Sequence, residues 1–357
     1  MRGFDESKVR RDQGGRFADQ THTESDIALF NSDPASKTEL VSLSLAAGNE
    51  AVTLRELTAH YGAKEALKQL GGARESKTIA ADLDYVGADQ EDFAKRVDAI
   101  RSNLAEVQNA GHIKANLAWM EQTGVEVVGR DDPEYPQVLV DRMGGDAPVA
   151  LFMQGNIPHQ WPENSIYLTG LRAPTKQGEH VAGIFGANLT KNGYTLISSG
   201  DLGVDVAALR GALKTEAGGR ADKNPLPTIT VLPGGMGNVR PYGHDHLFEL
   251  LSQRGTIMSE HAPSVKAGAE ERLRNKQVCG ALAGAMVVVQ ATPRSGAMRL
   301  AREELSQGRK VGITPPIFTD DGQEMSELNG TSRLLDEGAV VVDGVADIEK
   351  LLESNRG

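Results

Sequence analysis

From residue 125 onward the chain is punctuated by short aliphatic and β-branched runs: "VEVVG", "IYLTG" (Ile166 to Gly170), "YTLIS" (Tyr194 to Ser198), "TITVL" (Thr228 to Leu232), "GTIMSE" (Gly255 to Glu260), "AMVVVQA" (Ala285 to Ala291), "KVGIT" (Lys310 to Thr314) and "AVVV" (Ala339 to Val342). Their hydrophobicity is continuous rather than alternating, the mark of strands covered on both faces. Amphipathic stretches lie between most of them; Val181, Ile184, Phe185 and Leu189 form one apolar stripe, and Met298, Ala301 and Leu305 another. Strand and helix in repeated alternation predict an α/β domain over 125–357, a Rossmann-like, doubly wound and mostly parallel sheet. Residues 26–124 read differently. "LRELTAHYGAKEALKQL" and "FAKRVDAIRSNLAEVQNAGHIKANLAWMEQTG" carry apolar residues at three and four spacing, such as Val97, Ile100 and Leu104, and predict a small helical N-terminal domain. Residues 1–25 show no periodicity, with Arg10, Arg11 and Arg16 among acids and glycines, and are expected to form a disordered tail.

Composition narrows the class. A length of 357 residues fits one main domain of about 200 residues with a smaller companion. The 40 glycines imply many tight connections. A net charge of −11 means that a polyanion must bind through a local basic pocket, against the field of the whole molecule. One cysteine, Cys279, rules out an intrachain disulfide and a thiolate-rich zinc site, so no metal and no cofactor is expected. The N-terminus lacks the apolar core of a signal peptide, and the longest apolar run, Val278 to Val289, is too short for a bilayer, so a soluble cytoplasmic protein is expected. His60 and His112 stand singly and join no constellation.

In an open parallel sheet, ligands bind beyond the carboxyl ends of the strands, where loops enter helices whose free amides favour anions. Five such loops carry the candidate chemistry. "GLRAPTKQG" offers Gly170, Arg172, Thr175 and Lys176, a planar fork, a hydroxyl and an ammonium suited to phosphate oxygens. "ISSGDLGVD" brings Ser198, Ser199, Gly200 and Gly203, with Asp205 either as a helix cap or as a functional carboxylate. "LPGGMGNVRPYGHDH" has Gly234, Gly235 and Gly237 directly after a strand. "ERLRNKQ" supplies Arg272, Arg274, Asn275 and Lys276, and "PRSGAMR" supplies Arg294, Ser295, Gly296 and Arg299. The cations are expected along one rim of the sheet, a basic groove on an acidic protein.

These blocks resemble the DprA/Smf DNA-processing family. "DDPEYPQVLVD" with "APVALFMQGN" is similar to the family's lead-in, "GLRAPTKQG" to its Gly-x-Arg loop, and "ISSGDLGVDVAALRGAL" to its Ser-Gly, Gly-x-Asp series. "TITVLPGGMGNVRPYGHDHL" with "GTIMSE", "RLRNKQVCGALAGAMVVVQATPRSGAMRLA" and "LNGTSRLLDEGA" follow in the same order. The chain reads as a divergent member: Leu209 replaces a histidine, Gly235, Met236 and Gly237 replace Gly-Leu-Asp, Arg274-Asn275-Lys276 replaces Arg-Asn-Arg, Gln290 replaces a glutamate, and Arg240-Pro241 replaces a Tyr-Pro. The resemblance implies a homodimeric single-stranded DNA-binding protein without catalysis, which protects incoming strands and assists loading of a RecA-type recombinase in transformation.

A nucleotide-binding sensor or phosphoribohydrolase-like protein of the same fold is the alternative. "PGGMGN" is similar to the PGGxGT loop of the Lonely-guy type phosphoribohydrolases, but the position matching their catalytic glutamate is Pro241, which cannot move a proton. An oxidoreductase is disfavoured, because no Gly-x-Gly-x-x-Gly with a following acid sits in the right βαβ context. Glu260, beside His261, is read as a loop-structuring residue.

Overall fold

The computed structural model describes residues 34–214, 225–237, 244–315 and 330–355. The tail with Arg10, Arg11 and Arg16, and the positions Asn238, Arg240 and Pro241, lie outside the described residues. The chain divides into two compact units, one running to Phe152 and including Glu260–Pro263, the other formed by Met153–Ser259 and the residues from Ser264 on.

The first unit is helical: α1 (Lys37–Ala46), α2 (Ala51–Tyr61), α3 (Ala63–Gly71), α4 (Ser76–Asp82), α5 (Gly87–Asn109) and α6 (His112–Thr123), then β1 (Glu126–Gly129) and α7 (Gln137–Met143). Ser36 starts α1 through a capping box, its Oγ accepting from Glu39 N at 3.3 Å while Ser36 N donates to the Glu39 carboxylate at 2.7 Å. The long α5 buries Phe93, Val97, Ile100 and Leu104, the stripe that its sequence spacing predicts. Leu40, Leu43, Leu57, Ile79 and Leu139 complete this core. β2 (Ala150–Gly155) spans the boundary between the units.

The second unit is the expected doubly wound α/β sheet. Its elements are β3 (Ser165–Thr169), α8 (Lys176–Lys191), β4 (Thr195–Ser198), α9 (Val204–Lys214), β5 (Thr228–Leu232), α10 (Asp245–Arg254), β6 (Thr256–Ser259), α11 (Ala269–Leu282), β7 (Ala285–Val288), α12 (Gly296–Ser306), β8 (Val311–Ile313), α13 (Gly330–Asp336), β9 (Val340–Val341) and α14 (Val345–Asn355). The strands lie in the order β6-β5-β4-β3-β7-β8-β9, and every neighbouring pair is parallel. Tyr167 of β3 is in register with Ile197 on one side and Met286 on the other. Every residue of β3 to β8 is buried, which explains their unbroken hydrophobicity. Helices α8 and α9 meet backbone to backbone: a Cβ on Gly211 would stand 1.9 Å from Gly183 O, and one on Gly186 2.1 Å from Ala208 O. No helix among the described residues is long and apolar enough to cross a membrane.

Candidate functional site

From β3 the chain moves outward through β4, β5 and β6, then returns to β7 on the opposite side of β3. Right-handed crossovers therefore send the helices after β3 and β7 to opposite faces, and the loops between them part at a topological switch point. Here that crevice is filled from within. Gln290, 2% exposed, accepts from Thr175 N at 3.0 Å through Oε1 and donates to Thr175 Oγ1 at 2.9 Å through Nε2. Thr175 is the N-cap of α8 and accepts from Gly178 N at 3.1 Å. Gly178 and Gly170 are required by this packing, since a Cβ on either would lie 2.2 Å from Gln290 Oε1 or 2.8 Å from Gln290 O. The amides of Lys176 and Gln177 open α8 and have no intrahelical acceptor. Beside them the Arg172 side chain is 58% exposed.

The loop after β4 is tied inward. Asp205 Oδ1 accepts from Ser199 N at 2.9 Å and from Ser199 Oγ at 2.6 Å, and Asp205 Oδ2 from Thr169 Oγ1 at 3.2 Å. Gly200 N donates to Ser198 Oγ, Leu202 N to Asp201 Oδ1, and Val204 N to Leu171 O. These amides are thus committed within the protein instead of lying bare for a ligand. Gly203 has φ +82°, and a Cβ there would stand 2.2 Å from Leu171 O, so this glycine fastens the second loop to the first. Asp205 is 1% exposed and caps no amide of its own helix; it is the acceptor that folds the loop. Burial pushes its carboxyl above the usual range, while Lys276 and the Ser199 bonds pull it back.

Helix α11 lies across β3, β4 and β5 and turns two expected ligand contacts into the interior. Asn275, 4% exposed, donates to Ser199 O at 3.0 Å. Lys276, 8% exposed, reaches Ser199 Oγ at 3.4 Å and Asp201 Oδ2 at 3.6 Å. Asp201 Oδ1 lies 3.0 Å from Arg172 Nε, so one carboxylate joins the exposed cation to the buried one. Arg274, next to them in the chain, is half-buried, and Arg272 is exposed.

On β7's side, Ser295 caps α12 by accepting from Met298 N at 3.3 Å, and Gly296 is exposed, where an added Cβ would stand 3.9 Å from Lys276 Cδ. Arg294 and Arg299 are exposed. Direct contacts thus join the loops after β3, β4 and β7. Of the described residues in the glycine loop after β5, Gly234, Gly235 and Met236 are buried, Gly235 N donates to Val265 O at 2.9 Å, and Gly237 is exposed. In the first unit, His261 Nε2 and Glu260 Oε1 are 3.9 Å apart. Cys279 is buried beneath the site, where loss of solvent holds its thiol well above its usual range. Asp201 was not among the sequence candidates; an acid within a cation-rich edge, between Gly200 and Gly203, was the available signal.

Comparison with known proteins places this architecture. A 30% identical stretch of 243 residues relates the chain to the protein Smf of Escherichia coli, covering 68% of this chain and 60% of that one. The chain spans about 60% of the length of the first curated relatives it matches. DNA processing protein A of Streptococcus pneumoniae shares the fold, with a TM-score of 0.65 at 20% identity over 89% of this chain and 98% of that one. The Helicobacter pylori DNA processing protein A, whose structure describes a single-stranded DNA binding mode, superposes with a TM-score of 0.52 at 23% identity over 64% of this chain and 96% of that one. The family model for DNA recombination-mediator protein A matches residues 126–353, and the chain belongs to that family.

Proposed function

We propose that the carboxyl edge of the second unit binds the sugar-phosphate chain of single-stranded DNA. The observation that carries this reading is the donor cluster at the start of α8: the Thr175 hydroxyl, the Lys176 and Gln177 amides and the exposed Arg172 guanidinium lie in one loop and helix start. Each is a hydrogen-bond donor matched to a phosphodiester oxygen. Lys176, Gly296 and the exposed Arg294 and Arg299 extend the donor surface, while Ser199, Asp205, Asn275 and Lys276 act beneath it as scaffold. The single-stranded DNA bound by the Helicobacter pylori relative supports the choice of ligand.

The reading carries no catalytic turnover. Asp205 is enclosed by Thr169, Ser199 and Lys276, so it has no path to a substrate proton. Gln290 also occupies the switch point at which doubly wound folds hold mononucleotides, which ranks the nucleotide-sensor reading second. In the fuller proposal, the protein works as a cytoplasmic homodimer that protects incoming strands and assists a RecA-type recombinase.

Fluorescence anisotropy with a labelled unstructured oligonucleotide, its duplex and a panel of nucleotides tests this. Tight binding of the single strand that weakens steeply with salt, and at least tenfold weaker binding by Arg172→Ala, is the expected result. A flat salt response, or binding of a mononucleotide in preference to the strand, overturns it.

A further inference from the structure

Resting on the DNA-binding reading, we infer that Gln290 is a positioning residue that fixes the Thr175 hydroxyl as an outward-facing proton donor. The argument is one of hydrogen-bond direction. A backbone N–H can only donate, so the Gln290 atom 3.0 Å from Thr175 N is the amide oxygen. The amide nitrogen must then face Thr175 Oγ1 at 2.9 Å, and it can only donate there. Gly178 N donates to the same hydroxyl oxygen at 3.1 Å. Two accepted bonds fill both lone pairs of Thr175 Oγ1. Its proton is left over, and among the described residues no acceptor takes it. It emerges beside the opening amides of α8, where a phosphodiester oxygen, which accepts but never donates, completes the set.

The burial of Gln290, at 2% exposure, makes this arrangement rigid, because neither side chain can turn without breaking two bonds. The site is therefore built for a ligand group without protons of its own. A carboxylate in place of the amide would reverse the hydroxyl: one oxygen still accepts from Thr175 N, the other now accepts from the Thr175 hydroxyl, and the donor is withdrawn from the ligand. It would also add a buried negative charge under the anion.

Oligonucleotide affinity of Gln290→Glu, measured against wild type from pH 5.5 to 8, is the test. We expect about tenfold weaker binding at pH 8, the worth of one hydrogen bond to a charged acceptor, recovering toward wild type as pH falls. Recovery follows because a protonated carboxyl accepts from Thr175 N and donates to Thr175 Oγ1 just as the amide does. The charged and ionisable side chains of the two loops, the first turn of α8 and the groups packed against them are Arg172, Lys176, Glu179, His180, Asp201, Lys276 and Arg294; all are common to both proteins, so the comparison with wild type isolates the introduced carboxyl. Thr175→Ser, which keeps the hydroxyl, should bind within about threefold of wild type, and Thr175→Val should match Gln290→Glu at pH 8. Should Gln290→Glu fail to fold in a thermal melt, the Thr175 pair decides. Wild-type affinity in Gln290→Glu across the range, or equal losses in Thr175→Ser and Thr175→Val, overturns the inference and leaves the DNA-binding reading intact if Arg172→Ala still weakens binding. Absence of any salt-dependent binding by the wild type removes the DNA-binding reading itself.

Discussion

The Lys276 ammonium lies 3.6 Å from the Asp201 carboxylate with both side chains largely shielded from water, and this pairing turns an expected ligand contact into a part of the scaffold. Removing the ammonium leaves Asp201 with the exposed Arg172 alone and takes the cation away from the buried Asp205, at a cost of up to about 3 kcal/mol. Lys276→Met keeps the aliphatic stem and should lose about that much in urea unfolding. A variant as stable as the wild type that nevertheless fails to bind DNA would return Lys276 to the ligand surface.

Asp201 also holds Arg172 Nε at 3.0 Å, so a strand approaching the edge meets an anion already sitting on the cation it needs. Asp201→Asn removes that charge while keeping the shape of the loop. Single-stranded DNA should bind several-fold tighter, and the slope of log K against log salt should steepen by about 0.7, the contribution of one further cation. Weaker binding in a salt titration would mean that the carboxylate orients Arg172 instead of competing for it.

Much of the second unit is legible in the sequence. The runs at Ile166, Leu196, Ile229 and Met286 read as buried parallel strands because each is covered on both faces, and continuous hydrophobicity is the direct consequence. Val97, Ile100 and Leu104 marked the core face of α5 by spacing alone. What local pattern could not convey is the direction of individual polar side chains. Arg272 stays exposed while Asn275 and Lys276 turn inward, a distinction imposed by how α11 crosses the sheet. Gln290 was visible only as a departure from a family pattern, since its partner Thr175 is 115 positions away in sequence. The same holds for Gly203, expected in a ligand-binding loop: the close approach that requires a glycine there is to the backbone of Leu171 and Arg172, which its position in the sequence does not reveal.

The contact between α8 and α9 supports the site from below, and three glycines divide it sharply. A Cβ on Gly211 or Gly186 would meet backbone oxygen at 1.9 or 2.1 Å, whereas one on Gly183 would find its nearest neighbour, Ala207 O, at 3.6 Å. Alanine gains up to about 1 kcal/mol in helix propensity over glycine, and a forced separation of packed helices costs about 1–3 kcal/mol. Gly211→Ala and Gly186→Ala should therefore lower the thermal midpoint, and Gly183→Ala should leave it unchanged or raise it. Equal effects at all three positions would show that propensity, not close approach, decides.

Asp205 sets a pH signature for stability. Burial raises its carboxyl pKa above the unfolded value, and the opposing pull of Lys276 and Ser199 does not cancel that. Between the unfolded and the raised folded pKa, the native state binds the proton more readily than the unfolded chain does. The contribution of this group to stability therefore rises as pH falls through the folded value, and at neutral pH it stands as a penalty. Asp205→Asn removes the titration while an amide oxygen can still accept from Ser199 N. Measured by urea unfolding from pH 8 to pH 5, the stability of the wild type relative to Asp205→Asn should shift in the wild type's favour as the solution is acidified. A shift in the opposite direction would mean that the ammonium and hydroxyl partners outweigh burial and that the carboxylate is held ionised, making Asp205 and Lys276 a net stabilising pair under the loop.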